Sequence, residues 1–195
     1  IGRYYNRGAS VVYPPVDTGY FRPDDTTPER FALIVSALVP YKRIELAIEA
    51  CDLARVPLKI VGDGPERPAL ERLAAGRAEF LGRLPNEDVR TLYRRAGVVL
   101  LPGEEDFGIV PLEAQACGRP VVALNRGGAT ETVRPGVTGV LVDDLSPEAF
   151  AAGIAEALAT DFDAAAIRRH AEPFGRERFG DDIERVVRET PAVTQ

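Results

Sequence analysis

The stretch Val98-Val99-Leu100-Leu101-Pro102-Gly103-Glu104-Glu105-Asp106-Phe107-Gly108-Ile109-Val110-Pro111-Leu112-Glu113 decides the fold. Its first four residues form a short apolar run, which reads as a buried strand. The Gly and Pro that follow read as a polar loop opening a helix, with Glu105 on the loop and Glu113 in the first helical turn. Free amides at a helix N-terminus attract anions. Carboxylates accept hydrogen bonds from hydroxyl groups. Such a segment suits a ligand that is half phosphate and half sugar. Spacing alone equally allows a solvated Glu105 and a Glu113 stabilised by the helix dipole.

Outward from this unit the same pattern repeats. Mostly apolar runs at Phe31–Val35, Leu58–Val61 (interrupted by Lys59), Val98–Leu101 and Val121–Leu124 predict strands, with shorter ones at Val11–Tyr13, Glu79–Leu81 and Val140–Val142. Helical patterns predict Ile44–Leu53, Arg67–Ala75, Asn86–Arg95, Leu112–Cys117, Thr130–Arg134, Pro147–Ala159, Asp163–Ala171 and Arg176–Arg188. Near-continuous apolar strands alternating with helices predict an α/β fold: a Rossmann-like parallel sheet with helices on both faces. Ser146 followed by Pro147 reads as a cap and first helical position. Pro14-Pro15 and Arg22–Pro28 read as linker or turn, so the domain proper is expected to begin near Arg30.

At 195 residues with 45% hydrophobic content the chain is long enough to bury a core of its own. A net charge of −6 argues against broad nucleic-acid or anionic-membrane binding. Cys51 and Cys117 lack metal-type spacing and read as reduced core thiols, which predicts a cytoplasmic setting. No apolar run approaches the roughly 18 residues of a membrane span. Ile1–Asn6 does not read as a signal peptide. Ile1 stands where an initiator Met would, and the chain is read as a fragment or processed piece.

In parallel sheets ligands bind at the carboxyl ends of the strands. After the first strand comes Ser36-Ala37-Leu38-Val39-Pro40-Tyr41-Lys42-Arg43. Lys42 is one of only two lysines beside 22 arginines, so its place ahead of a helix stands out. A Lys there meets a diphosphate as a point charge, or is simply solvated. Gly62-Asp63-Gly64-Pro65-Glu66-Arg67 has Arg67 where the dinucleotide fingerprint needs a third Gly, which disfavours a nicotinamide site. Gly82-Arg83-Leu84-Pro85-Asn86 either lines a base pocket or caps a helix through Asn86. Asn125-Arg126-Gly127-Gly128-Ala129 either brings amides close to a ligand or is a plain turn.

Taken together, Phe31–Arg43, Leu58–Glu66, Phe80–Gly82 and Glu105–Pro120 resemble the C-terminal half of a family 4 retaining glycosyltransferase. That family has two Rossmann-like domains facing a cleft, the GT-B arrangement. Its hallmark is a Glu-x7-Glu followed by a small-residue helix and Gly-x-Pro. Here these are Glu105, Glu113 and Gly118-Arg119-Pro120. The resemblance runs from Tyr4 to about Phe179. It implies a crossover segment and linker over 1–29, a nucleotide-sugar-binding domain over 30–172, and over 173–195 a terminal helix that packs across the absent N-terminal, acceptor-binding domain. Any peripheral membrane contact would come through that absent domain.

The resemblance also implies roles. Lys42 holds the donor diphosphate, with Arg43 or Arg126 as supplementary cations, and Glu105 accepts hydrogen bonds from the donor sugar. The amides of Phe107, Gly108 and Ile109 touch phosphate or sugar. Glu113 takes the ribose hydroxyls, Arg83 and Leu84 the base, and Gly127 and Gly128 line the donor. Ala37 stands where the family usually carries an Arg, and Asp106 where many members have Gly. The implied catalytic pair is Glu105 and Lys42, acting on the leaving diphosphate without a metal or other cofactor, with retention and with the donor phosphate helping to deprotonate the acceptor. The mannosyltransferase-like branch is implied, with GDP-mannose as donor and a glycan or lipid-linked glycan as acceptor. His170 matches no family motif and reads as structural. The rival readings are a sugar-nucleotide epimerase or phosphorylase-like domain, and a non-catalytic nucleotide-binding module.

Overall fold

A computed structural model describes residues 9–189. The ends of the readings over 1–29 and 173–195, including Ile1–Asn6 and Tyr4, lie outside the described residues.

Six parallel strands form one sheet in the order β3-β2-β1-β4-β5-β6. They are β1 (Ala32–Val35), β2 (Leu58–Val61), β3 (Ala78–Gly82), β4 (Val98–Leu101), β5 (Val121–Leu124) and β6 (Gly139–Val142). The helices are α1 (Ile44–Ala54), α2 (Arg67–Ala74), α3 (Asn86–Arg95), α4 (Ile109–Ala116), α5 (Ala129–Thr132), α6 (Pro147–Ala159), α7 (Ala164–Ala171) and α8 (Arg176–Glu189). This is the doubly wound α/β arrangement, and its strand order reverses between β1 and β4.

Alternation along each strand explains why both faces are covered. Ile34, Ile60, Leu100 and Leu124 join Ile48 of α1 and Phe150 and Ile154 of α6 in one core. Their neighbours Leu33, Val61, Leu101 and Ala123 point the other way and join Tyr93 of α3 and Leu112 of α4. A strand buried on both faces must be apolar at every position, which is why β1, β4 and β5 carry no polar residue, whereas Lys59 of β2 is only partly buried and pairs with Glu79 of β3. Ser146 caps α6 as expected, its hydroxyl accepting the Ala149 amide at 3.3 Å. Cys51 and Cys117 are buried free thiols, and burial pushes both up to about 12.

Three local expectations are corrected. Val11–Tyr13 forms no strand; Val11 is 70% exposed, and the bridge nearby, from Val16 to Gly175, lies three residues past it. The helix carrying Glu113 starts at Ile109 rather than Leu112, so Glu113 sits in its second turn. The first-turn amide that Pro111 lacks has no intrahelical acceptor in any helix, so proline is tolerated there. Gly108, at φ +88°, turns the chain one residue before. Asn86 is the first residue of α3, not its cap; Pro85 precedes it, and no side chain caps that end.

The stretch ahead of β1 packs onto the sheet. Val16 and Phe21 are buried. Arg168 of α7 donates to the carbonyl oxygens of Ala116 at 2.9 Å, Thr18 at 3.3 Å and Phe21 at 3.4 Å. One guanidinium thereby ties this stretch to the end of α4. Helix α8 carries no buried residue.

Candidate functional site

The reversal of strand order between β1 and β4 leaves a crevice at the carboxyl ends of those two strands. The loop after β1 contributes Lys42, at the end of a single 3-10 turn over Pro40–Lys42. The loop after β4 contributes Glu105. Lys42 Nζ and Glu105 Oε1 form an ion pair, with the side chains 14% and 20% exposed. The Tyr41 ring lies 4.9 Å from the same ammonium.

Close backbone approach explains why the Glu105 loop is where it is. A Cβ on Gly103 would lie 2.4 Å from Tyr41 O and 2.7 Å from Lys42 Cα, so only glycine lets the loop lie against the Lys42 turn. On its other side the Asn125–Gly128 loop presses in. The Gly128 amide donates to Glu105 O at 2.7 Å, and a Cβ on Gly128 would lie 2.3 Å from Phe107 Cα. Gly127 has the same relation to Glu105 O, at 2.3 Å. The structure thus gives the paired glycines a packing role: they hold the Glu105 loop, and they do not line the crevice. Gly62 and Gly64 similarly accommodate the Ser36–Leu38 backbone.

Two hollows of about 410 Å³ each meet along Val35, Ser36, Ala37 and Val110 to form one trough. One is lined by Lys42, Glu105, Phe107, Gly108 and Ile109. The other is lined by Arg83, Leu84, Phe21 and Glu113. The amides of Phe107, Gly108 and Ile109 have no acceptor among the described residues. They open α4 with the partial positive charge of a helix start. Ala37, exposed on the shared floor, presents no cation. Arg43 and Arg126 do not supply one, since neither lines the trough and Arg43 Nε is held by Glu45 at 2.5 Å. Asp106 is exposed and outside the lining.

Glu113 is the most perturbed carboxyl of the site. Burial pushes it up to about 7, opposed by the Tyr93 hydroxyl, which donates to Oε2 at 3.0 Å. Tyr93 itself is 0% exposed. Sequence reading passed over this residue, although its place beside Val89 and Leu92 on the core-facing stripe of α3 was a signal. A tyrosine turned inward needs a partner for its hydroxyl.

Phe107 stacks on Tyr13 at 5.3 Å and packs beside Phe174 at 5.9 Å, joining the site loop to both ends of the described chain. Tyr13 is anchored by donating its hydroxyl to Glu131 at 2.7 Å. His170 touches Phe174 edge-on and Thr132 O at 3.2 Å, a packing role as expected. Among the described residues no group of three or more His, Cys, Asp or Glu side chains is placed to hold a metal ion. Among the same residues no helix is long and apolar enough to cross a membrane.

Comparison with known proteins agrees with this geometry. The family described as glycosyl transferases group 1 matches residues 21–176. D-inositol 3-phosphate glycosyltransferase of Geodermatophilus obscurus is 40% identical, the match covering 91% of this chain and 46% of that protein. The enzyme of the same name from Mycolicibacterium gilvum is 33% identical over 77% of this chain and 39% of its own length. The chain therefore spans less than half the length of these curated relatives. Among solved structures, Anabaena HepE in complex with UDP and glucose superposes with a TM-score of 0.79 at 25% identity, covering 93% of this chain and 57% of that one. Sucrose-phosphate synthase from Thermosynechococcus elongatus gives the same TM-score and identity, over 96% and 55%.

Proposed function

Because the chain belongs to the group 1 glycosyltransferases, we propose that its trough is the donor site of a two-domain, GT-B enzyme that transfers a hexose from a nucleoside diphosphate sugar. The observation that carries this reading is the trough itself. It has a cation, a carboxylate and free helix amides at one end, and a partly buried carboxyl with an apolar slot at the other. A nucleoside diphosphate sugar has the same sequence of parts: hexose and diphosphate, then ribose and base.

On this reading Lys42 and the amides of Phe107, Gly108 and Ile109 receive the negative charge that grows on the diphosphate as the glycosidic bond breaks. The Lys42–Glu105 pair opens on donor arrival, Lys42 turning to phosphate and Glu105 to the sugar hydroxyls. Glu113 accepts from the ribose hydroxyls in its ionised form, and Arg83 and Leu84 flank the base. Neither Glu acts as a nucleophile. Transfer proceeds with retention and without a metal. The acceptor site lies in the other half of the enzyme, and the relatives' name makes a phosphorylated cyclitol the acceptor to try first. For the base, the UDP and UDP-glucose complexes of HepE favour uracil, whereas the mannosyltransferase-like motifs favour GDP-mannose.

Calorimetric titration with UDP, UDP-glucose, GDP, GDP-mannose, ADP and NAD, without added metal, tests the reading. Selective binding of one nucleoside diphosphate and its sugar conjugate is expected. Binding of NAD alone would overturn it. A second outcome concerns Ala37. Ala37→Arg adds the second cation beside Lys42, and a charge-assisted contact of about 1.5 kcal/mol tightens diphosphate binding roughly tenfold. The affinity for the corresponding nucleoside without phosphates should stay unchanged in the same titration.

A further inference from the structure

We propose that Tyr93 is a positioning residue for the donor ribose, its hydroxyl holding Glu113 in the one orientation from which the second carboxylate oxygen faces the trough. The inference rests on the donor-site reading above. It begins from a buried polar contact within an otherwise apolar core. Tyr93 lies among Leu92, Val99, Leu101 and Leu112, fully buried, with Phe21 packed edge-on at 5.7 Å. Its hydroxyl has one partner among the described residues, Glu113 Oε2. Glu113 lines the half of the trough that also holds Arg83 and Leu84, and its Oε1 has no protein partner among the described residues. One oxygen is therefore fixed by the core and the other is left for a ligand. A vicinal diol, donating from two adjacent hydroxyls, is the chemistry that a carboxylate so presented recognises.

Nothing else facing Glu113 does this work. From α3, Arg90 lies over the Tyr20 ring at 4.3 Å, and Arg94 pairs with Asp24 at 3.0 Å. Asn86, also of α3, is uncharged, and so is Cys117 just past the end of α4, its thiol pushed up to about 12. Arg83 lines the same hollow but is exposed. The Tyr93 hydrogen bond favours the ionised form of Glu113 against burial, which still raises its carboxyl to about 7. The sign follows directly. Protonation fills one oxygen with a proton, so ribose binding weakens as pH falls through about 7 and is fully present above it. Removing the hydroxyl takes away the influence that lowers the value, so the transition moves to higher pH.

The test compares the chain with its Tyr93→Phe variant, which keeps the ring and removes only the oxygen. A carbon-detected NMR titration of the Glu113 carboxyl in ligand-free protein should place its midpoint higher in the variant. Titration with UDP and GDP should show about a tenfold loss of affinity at pH 7, the usual weight of a hydrogen bond to a charged group. The loss should shrink at pH 9 and be absent for the 2′,3′-dideoxy analogues, which have no diol to recognise. An unmoved Glu113 midpoint, or an equal loss for ribose and dideoxyribose nucleotides, would leave Tyr93 with a packing role only and overturn the proposal. If the midpoint moves but the unaltered chain binds no nucleoside diphosphate, the donor-site reading is what fails. Glu113→Gln serves as the second variant: it should abolish the pH dependence whether or not Tyr93→Phe folds as stably as the parent.

Discussion

Lys42→Ala lowers the affinity for the nucleoside diphosphate by about 100-fold, equivalent to about 2.7 kcal/mol. Lys42 is the one cationic side chain in the lining of its half of the trough, and Ala37 offers no second one. A diphosphate carries its charge in a small volume, so losing the only point charge is not shared among neighbours. The substitution does further harm, because it leaves Glu105 without its ion-pair partner. Stability should change much less, by about 1 kcal/mol, since the freed carboxylate faces an open trough and water can reach it. Lys42→Arg retains the charge and should recover most of the affinity, short of the parent because a planar fork replaces a compact ammonium. Calorimetry gives the affinities and urea unfolding the stabilities. Affinity within threefold of the parent in Lys42→Ala would remove Lys42 from the donor site.

Gly128→Ala should abolish donor binding for a different reason. Gly128 has φ −62°, a conformation alanine adopts freely, so no backbone strain is introduced. The obstacle is space. The added Cβ would lie 2.3 Å from both Cα and O of Phe107 and 2.5 Å from its carbonyl carbon, all backbone atoms that cannot swing aside. Either α5 or the Glu105 loop must move, and the 2.7 Å hydrogen bond from the Gly128 amide to Glu105 O is lost with it. Overpacking of this kind costs about 1–3 kcal/mol in stability. Its effect on binding is larger, because a displacement of about 1 Å suffices to ruin a preorganised site. Gly180→Ala, in α8 with nothing within 4 Å of the new methyl, is the control. It should leave binding intact and, as an alanine inside a helix, stabilise by about 0.5–1 kcal/mol. Nucleotide titration and urea unfolding of the two variants separate the cases; normal affinity in Gly128→Ala would show that the loop tolerates displacement.

The sheet was legible because burial on both faces writes itself into its central strands as unbroken apolar runs, while β2 and β3 toward one edge carry Lys59 and Glu79. Val98–Leu101 and Val121–Leu124 needed no help from their neighbours, and the structure places both at the expected residues. Val11–Tyr13 has the same residue types but is read wrongly. An extended segment becomes a strand only by finding a partner edge, and β1 already pairs with β2 and β4. Helix α4 starts three residues earlier than the sequence predicts, because Pro111, which reads as an opening signal, occupies a later position in the first turn. The site was legible where it depends on the residues of one loop-to-helix segment, as at Lys42, Glu105 and Glu113, and was missed where it depends on contact between segments distant in sequence. Tyr93 reaches Glu113 from 20 residues away in sequence. The glycines at 103, 127 and 128 were visible as glycines, but their reason is the backbone of another loop, which no local spacing reveals.

The ion pair of the site joins residues 63 apart in sequence but on loops of adjacent strands. Between them the chain builds β2 and β3 on the far side of β1. A ribosome delivering this sequence therefore exposes Lys42 long before its counterpart exists, and β1 waits through that interval with one edge unpaired. An unpaired apolar edge is the hazard of a growing sheet. Because no half-made chain owns both loops, the donor has nothing to grip until β4 has docked. Its binding energy then accrues only to chains that have passed β4, about 2.7 kcal/mol when the ligand stands at a hundred times its dissociation constant. On the proposed function, a nucleoside diphosphate sugar would thus also act as a ligand that favours chains docked through β4 over shorter ones.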